Sequence, residues 1–255
     1  MSERRSTPQW VDTHCHLQLD ERDSRELLER ADNVAWIVAP GIDLKSSQAS
    51  LDLAAASEGL VLATAGLHPH HAEEWPEQED GIVRLAEQAS AVGETGLDYY
   101  RNLAPPDAQL ASFSAQIDLA RTLDQPLIVH CRDAFADVHR LLEDSGLADR
   151  AILHCWTGGR RWTRRFLDLG VIFSFAGPVA FETGETIRLA AELVPPSRAL
   201  VETDTPYLAP PPHRGKPNEP AWVGLVGAAL ANVWGMSLEE TADVTTANAS
   251  RVFGR

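Results

Sequence analysis

Short apolar runs alternate with helical patterns along most of this chain. The apolar runs are nearly continuous, as expected for parallel strands that are buried on both faces of a sheet. They predict eight strands, at residues 10–14, 34–39, 61–65, 91–94, 127–130, 151–154, 171–175 and 200–202. Eight such strands, separated by helical patterns, favour an α/β fold of the (β/α)8 TIM barrel type.

The segments between these runs carry the periodicity of helices. Apolar residues recur at helical spacing in residues 110–120, 135–142 and 162–169. Gly170 stands where the third of these helices should end, and Ser237 with Glu240 predicts a capping box in front of the last helix. The alternative is an open, doubly wound sheet, but no Gly-x-Gly-x-x-Gly motif follows an early strand, which disfavours its dinucleotide-binding form. The proline-rich segment 206–220 predicts a long loop, and such loops are usually functional.

Length and composition narrow the functional classes. A chain of 255 residues is consistent with a single barrel domain that covers residues 1–255. The net charge of −15 argues against a broad basic surface that holds nucleic acid by counterion release. It does not exclude nucleic acid held at a local site, where bound cations would reverse the sign of the field.

We expect a cytoplasmic protein that does not contact a membrane. Three cysteines are no disulfide framework and fit a reducing compartment. No apolar run is long enough to cross a bilayer. The pair Arg4-Arg5 could begin a twin-arginine export signal, but the residues that follow are polar and no apolar segment comes after them.

Histidines concentrate at the carboxyl ends of the predicted strands. Eight of the nine lie at or just beyond such an end: His14, His16, His68, His70, His71, His130, His154 and His213. In a barrel these strand ends meet at one rim, which is the usual place for chemistry. The eight histidines are therefore candidates for one functional cluster.

His14 and His16 form a His-x-His pair at the end of the first strand. Because side chains alternate along a strand, both should point to one face and Cys15 to the other. Two imidazoles in this arrangement can bind one metal ion. Two histidines packed in a polar rim would give the same pattern.

His130 and His154 end the fifth and sixth strands, and a cysteine follows each of them. Alternation directs the histidines inward, and Cys131 and Cys155 toward the surrounding helices as small apolar residues. Two such histidines beside a His-x-His pair favour a metal site.

Two carboxylates complete the candidate site. Glu94 ends the fourth strand between glycines that allow a ligand to approach, and its carboxylate could bridge two cations. Asp204 ends the eighth strand, where it could bind one metal and move protons to and from a water. Glu202 lies one layer deeper with the same parity and could support the ligands from behind. Without a metal site, Glu94 would be an exposed glutamate in a loop, and Asp204 would be an aspartate in a turn or at a helix cap.

Several ordered motifs strongly resemble the TatD family of metal-dependent hydrolases, within the amidohydrolase-like barrels. They are Asp12-Thr13-His14-Cys15-His16-Leu17, Gly66-Leu67-His68-Pro69-His70, Gly93-Glu94-Thr95-Gly96-Leu97-Asp98-Tyr99-Tyr100, Pro126-Leu127-Ile128-Val129-His130-Cys131-Arg132, His154-Cys155-Trp156-Thr157-Gly158, Glu202-Thr203-Asp204-Thr205-Pro206-Tyr207-Leu208 and Arg214-Gly215-Lys216-Pro217-Asn218-Glu219-Pro220. Together they are far more specific than any one of them. Trp156, where phenylalanine is usual, and Thr95, where an aliphatic residue is common, depart from the family pattern.

The resemblance implies a TIM barrel of the metallo-dependent hydrolase type that cleaves phosphodiester bonds in DNA. It makes six residues the ligands of two divalent metal ions (Zn, Mg or Mn): His14, His16, Glu94, His130, His154 and Asp204. In the mechanism it suggests, a water activated by two metals attacks phosphorus while Asp204 serves as general base and acid. The resemblance thus implies that Asp204 and Glu94 are the catalytic residues. DNA or another phosphodiester is the expected partner, and no obligate protein partner is evident.

Phosphate also needs cationic or N–H donors beside the metals. His68, Arg132 and Arg214 are the predicted substrate-binding residues, although Arg214 could instead bridge to a carboxylate. Tyr99 and Tyr100 could stack on a base or pack in the core. The arginines after the sixth strand are interpreted as a solvated helix face rather than rim cations: Arg160, Arg161, Arg164 and Arg165.

Two other functions fit the same residues. The barrel could hydrolyse a small ester, lactone or amide, although Glu94 mildly disfavours the subclass in which a carboxylated lysine bridges the metals. The chain could also be a non-catalytic metal-binding scaffold. The complete ligand set disfavours that function, because a decayed site usually lacks a ligand.

Overall fold

Eight parallel strands form a barrel in the structure, a computed structural model that describes residues 7–255. The strands are β1 (Trp10–Asp12), β2 (Val34–Ala39), β3 (Val61–Ala65), β4 (Ala91–Asp98), β5 (Leu127–Arg132), β6 (Ala151–Leu153), β7 (Ile172–Phe175) and β8 (Ala199–Val201). Each strand pairs in parallel with the next one along the chain. The predicted (β/α)8 barrel is confirmed. Arg4 and Arg5 lie outside the described residues.

Within residues 7–255, nine α-helices surround the barrel. They are α1 (Ser24–Glu29), α2 (Leu44–Ala56), α3 (Trp75–Ala86), α4 (Pro106–Leu123), α5 (Phe135–Ser145), α6 (Arg160–Leu169), α7 (Glu185–Ala191), α8 (Val223–Trp234) and α9 (Leu238–Phe253). Gly170 ends α6 in the left-handed conformation, and Ser237 with Glu240 forms the capping box of α9, both as predicted. Across this described part, no single helix is long and apolar enough to cross a membrane. One pair of segments, 220–234 and 238–253, has the length and apolar composition of a span only when taken together, and it is bent by 108°.

The last strand lies against the first one. The backbone N–H of Thr13 donates to the carbonyl of Val201 at 3.1 Å, and the N–H of Asp204 donates to the carbonyl of His14 at 2.9 Å. These bonds join the two ends of the strand series at the rim. The first and last candidate residues of the sequence thereby become neighbours.

Alternate residues of the strands fill the interior of the barrel. A buried apolar cluster in this layer includes Val11, Val38, Ala91, Ile128, Ile152, Ile172 and Leu200. Ile128 and His130 have the same parity on β5, and Ile152 precedes His154 in the same way at the end of β6. The two histidines therefore lie one layer above this apolar cluster, which we call the apolar plug.

Candidate metal centre

Glu94 lies at the centre of a buried group of imidazoles and is only 3% exposed. Its Oε2 atom lies 3.3 Å from His14 Nε2 and 3.6 Å from His16 Nε2. Its Oε1 atom lies 2.9 Å from His154 Nε2 and 3.1 Å from His130 Nδ1. The two oxygens of one carboxylate thus face two different pairs of histidines.

An irregularity in β4 directs Glu94 into this group. Ala91 belongs to the barrel interior and Val92 to the layer under the helices, so strict alternation from these two residues would direct Glu94 outward. The pairing of β4 with β5 shifts in register between Val92 and Thr95. Gly93 has a φ of 134° at this point, a conformation that favours glycine. The shift reverses the alternation, and Glu94 points inward.

His14 and His16 project to the same side of the chain beyond β1, as predicted. Their Nε2 atoms are 3.2 Å apart, and His16 Nδ1 lies 3.2 Å from the carbonyl of Pro40. Cys15 is buried on the other side, in an apolar cluster with Leu17. Burial lowers the pKa of His14, and it lowers the pKa of His16 to about 3. Both rings are neutral near pH 7, as metal binding by imidazole requires.

Asp204 reaches the same group from the segment after β8. Its Oδ1 atom lies 3.6 Å from His16 Nε2 and 3.9 Å from His14 Nε2. The residue has a φ of 59°, in the left-handed region. Burial raises the pKa of Asp204 well above its ordinary value against the opposing charge of His154, and the carboxylate of Glu202 adds to the rise.

Two buried carboxylates orient histidines of the cluster from behind. Asp98 Oδ2 lies 3.3 Å from His130 Nε2, and Glu202 Oε1 lies 3.3 Å from His154 Nδ1. Each contact leaves the other ring nitrogen directed at Glu94. The supporting place of Glu202 was predicted, whereas that of Asp98 was missed because the fourth strand was expected to end at Glu94. Glu94 and Asp98 are four positions apart, and this even spacing was the signal that they share a face of the same strand.

The carboxylates and imidazoles shift each other's protonation. Burial alone would lower the pKa of His154, but Glu94 and Glu202 raise it well above its ordinary value. The carboxylates of Asp98 and Glu94 likewise outweigh burial and raise the pKa of His130. Against the effect of burial, the imidazole of His154 and its neighbours hold the pKa of Glu94 well below its usual range. Glu94 therefore stays ionised at the centre of the group.

The donor atoms fit divalent metal ions. Within residues 7–255, three overlapping groups have ligand atoms that all lie within 4.8 Å of one another: His14–Glu94–His154, His14–His16–Asp204 and His68–Glu94–His130. Imidazole nitrogens and carboxylate oxygens are among the common protein ligands of zinc and related metals. The structure brings together all six residues that the sequence predicted as ligands, and it adds His68.

The predicted substrate-binding residues take different positions. His68 is buried at the cluster, with Nε2 at 3.4 Å from Glu94 Oε1, and burial lowers its pKa to about 4. Arg214 is exposed, and its guanidinium lies 4.2 Å from the ring centre of Phe181. Among the described residues it forms no ion pair with a carboxylate within 4.0 Å, so the alternative of a bridge to a carboxylate is not observed.

The two tyrosines after β4 separate. The hydroxyl of Tyr99 donates to Asp137 at 3.0 Å, and the side chain is half-buried. Tyr100 is 63% exposed, and the guanidinium of Arg132 lies 4.0 Å from its ring centre. Arg132 and Tyr100 thus form an exposed stack where β4 and β5 end.

The prediction for Cys155 is wrong. The residue was expected to face the helices, like Cys131, but β6 already ends at Leu153 and regular alternation stops there. Cys155 has a φ of 44° and is only partly buried, whereas Cys131 belongs to the apolar layer under the helices. Burial raises the pKa of the Cys155 thiol well above its ordinary value, and the carboxylates of Asp204 and Glu202 raise it further. The thiol therefore stays protonated.

Three of the eight rim histidines lie outside the cluster. His70 Nε2 lies 2.8 Å from Asp98, the same carboxylate that supports His130. His71 is partly exposed, and His213 stacks on Trp222 with ring centres 3.8 Å apart. The single cluster expected from the sequence therefore contains five histidines instead of eight.

Comparisons with known proteins agree with this geometry. Residues 11–254 match the family model described as TatD related DNase. The chain is 41% identical over 253 residues to a protein of Escherichia coli K12 named uncharacterized metal-dependent hydrolase YcfH, with 95% of each chain covered. It is 36% identical over 243 residues to a protein of Citrobacter koseri named 3'-5' ssDNA/RNA exonuclease TatD, with 92% of this chain and 93% of the relative covered.

A solved structure of similar shape comes from the same group. The crystal structure of YjjV, a TatD homologue of Escherichia coli K12, matches with a TM-score of 0.86 at 25% identity. The match covers 98% of this chain and 100% of the other. The chain therefore belongs to the TatD-related DNase family and is a metal-dependent hydrolase.

Proposed function

We propose that this hydrolase cleaves phosphodiester bonds in DNA with two divalent cations. The proposal rests on the two carboxylate oxygens of Glu94, which face different histidines. Oε2 faces His14 and His16, while Oε1 faces His130 and His154. A carboxylate in this position can bridge two cations, and cations about 3.5–4 Å apart are typical of nucleases and phosphatases. The name of the Citrobacter relative supports a nucleic-acid substrate.

Each cation would have its own set of ligands. The first would be held by His14, His16, Asp204 and Glu94 Oε2, and the second by Glu94 Oε1, His130 and His154. These donors suit zinc, while the carboxylates also accept magnesium or manganese. When bound, the cations would lower the pKa of a water and neutralise charge on the phosphoryl oxygens.

Side chains of the protein would move the proton and bind the phosphate. Asp204 Oδ1, beside both histidines of the first pair, would accept the proton of the attacking water and pass it toward the leaving oxygen. His68, at the edge of the cluster, would donate a hydrogen bond to a substrate oxygen. The exposed guanidiniums of Arg132 and Arg214 would bind phosphate oxygens on the rim.

We also propose that residues 1–255 act as one barrel domain in the cytoplasm. The family match over residues 11–254 supports one domain, and three free cysteines fit a reducing compartment. The six proposed ligands come from one chain, so no second subunit is needed to complete the centre.

The test is digestion of end-labelled single- and double-stranded DNA by metal-stripped protein, with Mg²⁺, Mn²⁺ or Zn²⁺ added in turn. We expect cleavage to return with at least one of these metals and to stop in excess chelator. An Asp204→Asn variant should cleave far more slowly, because it lacks the proton acceptor and a charged ligand of the first cation. Cleavage that persists in excess chelator, or turnover of esters and lactones alone, would contradict the proposal.

A further inference from the structure

Helix α6 carries the highest local density of positive charge in this acidic chain. Among 22 lysines and arginines in a chain of net charge −15, four fall within six consecutive positions: Arg160, Arg161, Arg164 and Arg165. All four are exposed. At 3.6 residues per turn they occupy one continuous arc of about 140° on the helix. The buried residues of this stretch, Thr163 and Phe166, lie on the other side.

No ion pair within the described residues offsets the mutual repulsion of these four arginines. Among residues 7–255, none of the four arginines of α6 forms an ion pair with a carboxylate within 4.0 Å. Five other arginines do so: Arg22, Arg30, Arg121, Arg140 and Arg150. Like charges one helical turn apart repel each other, as in the pair Arg160 and Arg164. Positive charge in the first turn also opposes the helix dipole, and this first turn contains no acidic residue. An anionic ligand would remove these penalties.

Trp162 restricts two of the guanidiniums. The guanidinium carbons of Arg161 and Arg165 lie 5.8 Å and 4.9 Å from the centre of its ring. The ring itself stacks on Phe135 at 5.9 Å with an interplanar angle of 28°. A guanidinium stacked on an aromatic face keeps its in-plane N–H groups free for phosphate oxygens. Two of the four cations are therefore partly ordered before a ligand arrives.

The first turns of α6 are attached to the segment that follows His154. The indole N–H of Trp156, two residues after His154, donates to the hydroxyl of Thr163 at 3.0 Å. Arg160 is six positions after His154 in the sequence, so their Cα atoms lie at most about 20 Å apart. A barrel helix begins at the rim where the preceding strand ends, which is also the rim of the metal centre.

We infer that these four arginines bind the phosphate backbone of a DNA strand that runs from the metal centre across the first two turns of α6. The inference rests on the proposed function and extends it to a second contact surface. Because the rest of the chain is strongly acidic, this local contact would set the path of the strand beyond the scissile bond.

The test uses matched pairs of substitutions in the full-length protein. Arg160→Gln/Arg164→Gln and Arg161→Gln/Arg165→Gln each remove two charges, and glutamine retains high helix propensity. Arg84→Gln/Arg121→Gln is the control, since these exposed arginines lie in the last turns of α3 and α4, at the other end of the barrel. Binding of a labelled long single strand is measured in excess chelator over a range of salt concentrations. Cleavage of the same strand and of a dinucleotide is measured with metal.

Each α6 pair should weaken binding of the long strand and reduce the salt dependence, log Kd against log salt, by about 0.7 for each phosphate that the protein no longer neutralises. The kcat/KM for the dinucleotide should match that of the control. Equal behaviour of the α6 pairs and the control on the long strand would overturn the inference. So would arginine-dependent binding of anionic lipid vesicles without any change in DNA binding. Weaker strand binding by the α6 pairs, in a protein whose wild type cleaves no DNA with any metal, would support the surface and reject the proposed function.

Discussion

The two layers of the barrel interior come from the same strands and have opposite chemistry. On β5, Ile128 lies in the apolar plug and His130 lies above it, and Ile152 and His154 repeat this pattern at β6. The lower layer is held by close packing of aliphatic side chains. The upper layer places imidazoles and carboxylates within 4 Å of one another. At β5 and at the end of β6, alternation thus places a polar side chain two residues beyond an apolar one on the same face.

The layers also differ in what completes them. Close packing of its side chains is enough to stabilise the apolar plug, and no ligand is needed there. In the upper layer, the pKa of His16 falls while that of His154 rises, because burial dominates at one ring and the Glu94 carboxylate at the other. Such a group of buried donors is completed by a cation. We therefore expect substitutions in the upper layer to change metal binding, and substitutions in the apolar plug to change the free energy of unfolding.

The largest effect is expected from Glu94→Gln. In the proposed two-cation centre a neutral amide could not replace the bridging carboxylate, so kcat/KM should fall by more than about 10³-fold, equivalent to more than about 4 kcal/mol of barrier. Metal content by mass spectrometry and kcat/KM on DNA check this, with the exposed Glu87→Gln as control. A Glu94→Gln protein that keeps two metals and full activity would remove Glu94 from its central place.

Ile128→Ala tests the lower layer. Deleting this buried side chain should cost about 2–5 kcal/mol of unfolding free energy, because a cavity remains in the plug. Urea denaturation measures the loss, and kcat per folded molecule should stay near that of the wild type. If activity fell without a loss of stability, the two layers would not be separable.

Asp98→Asn tests the support behind the upper layer. Loss of the carboxylate that holds His130 Nε2 should lower metal affinity by about 10–100-fold while the protein stays folded. Calorimetric titration of metal-free protein measures the affinity, with circular dichroism as the check on folding. Unchanged affinity would show that packing alone orients His130.

The last expected effect depends on pH and concerns Asp12, where β1 and β8 meet. Burial raises the pKa of Asp12 to about 7 although hydrogen bonds from Thr203 oppose the rise. The protonated form is thus favoured in the fold, so its contribution to stability is present below about pH 4 and is lost as pH rises through about 7.

In excess chelator, the Tm of Asp12→Asn relative to wild type should therefore increase between pH 4 and pH 7. Titration of the cluster histidines, including His16, affects both proteins and cancels in the difference. Parallel Tm curves over this range would contradict the raised pKa.

Some predictions failed because they extended an ideal strand too far or not far enough. The fourth strand was expected to end at Glu94, yet it continues to Asp98 and supplies the support of His130. Alternation was applied to Cys155, although the sixth strand had already ended. Pairing with neighbouring strands decides where a strand ends, and the sequence of a single strand does not show how far its neighbours extend.

The sequence by itself determined the barrel type and the collection of histidines and carboxylates at one rim. Apolar periodicity is a local property, and strand ends in a parallel barrel collect at one rim. Only the tertiary structure decided how these residues meet. A register shift between β4 and β5 turns Glu94 inward, and the contact of β8 with β1 brings Asp204 beside His14. Both depend on contacts between segments far apart in the chain, where local patterns carry no information.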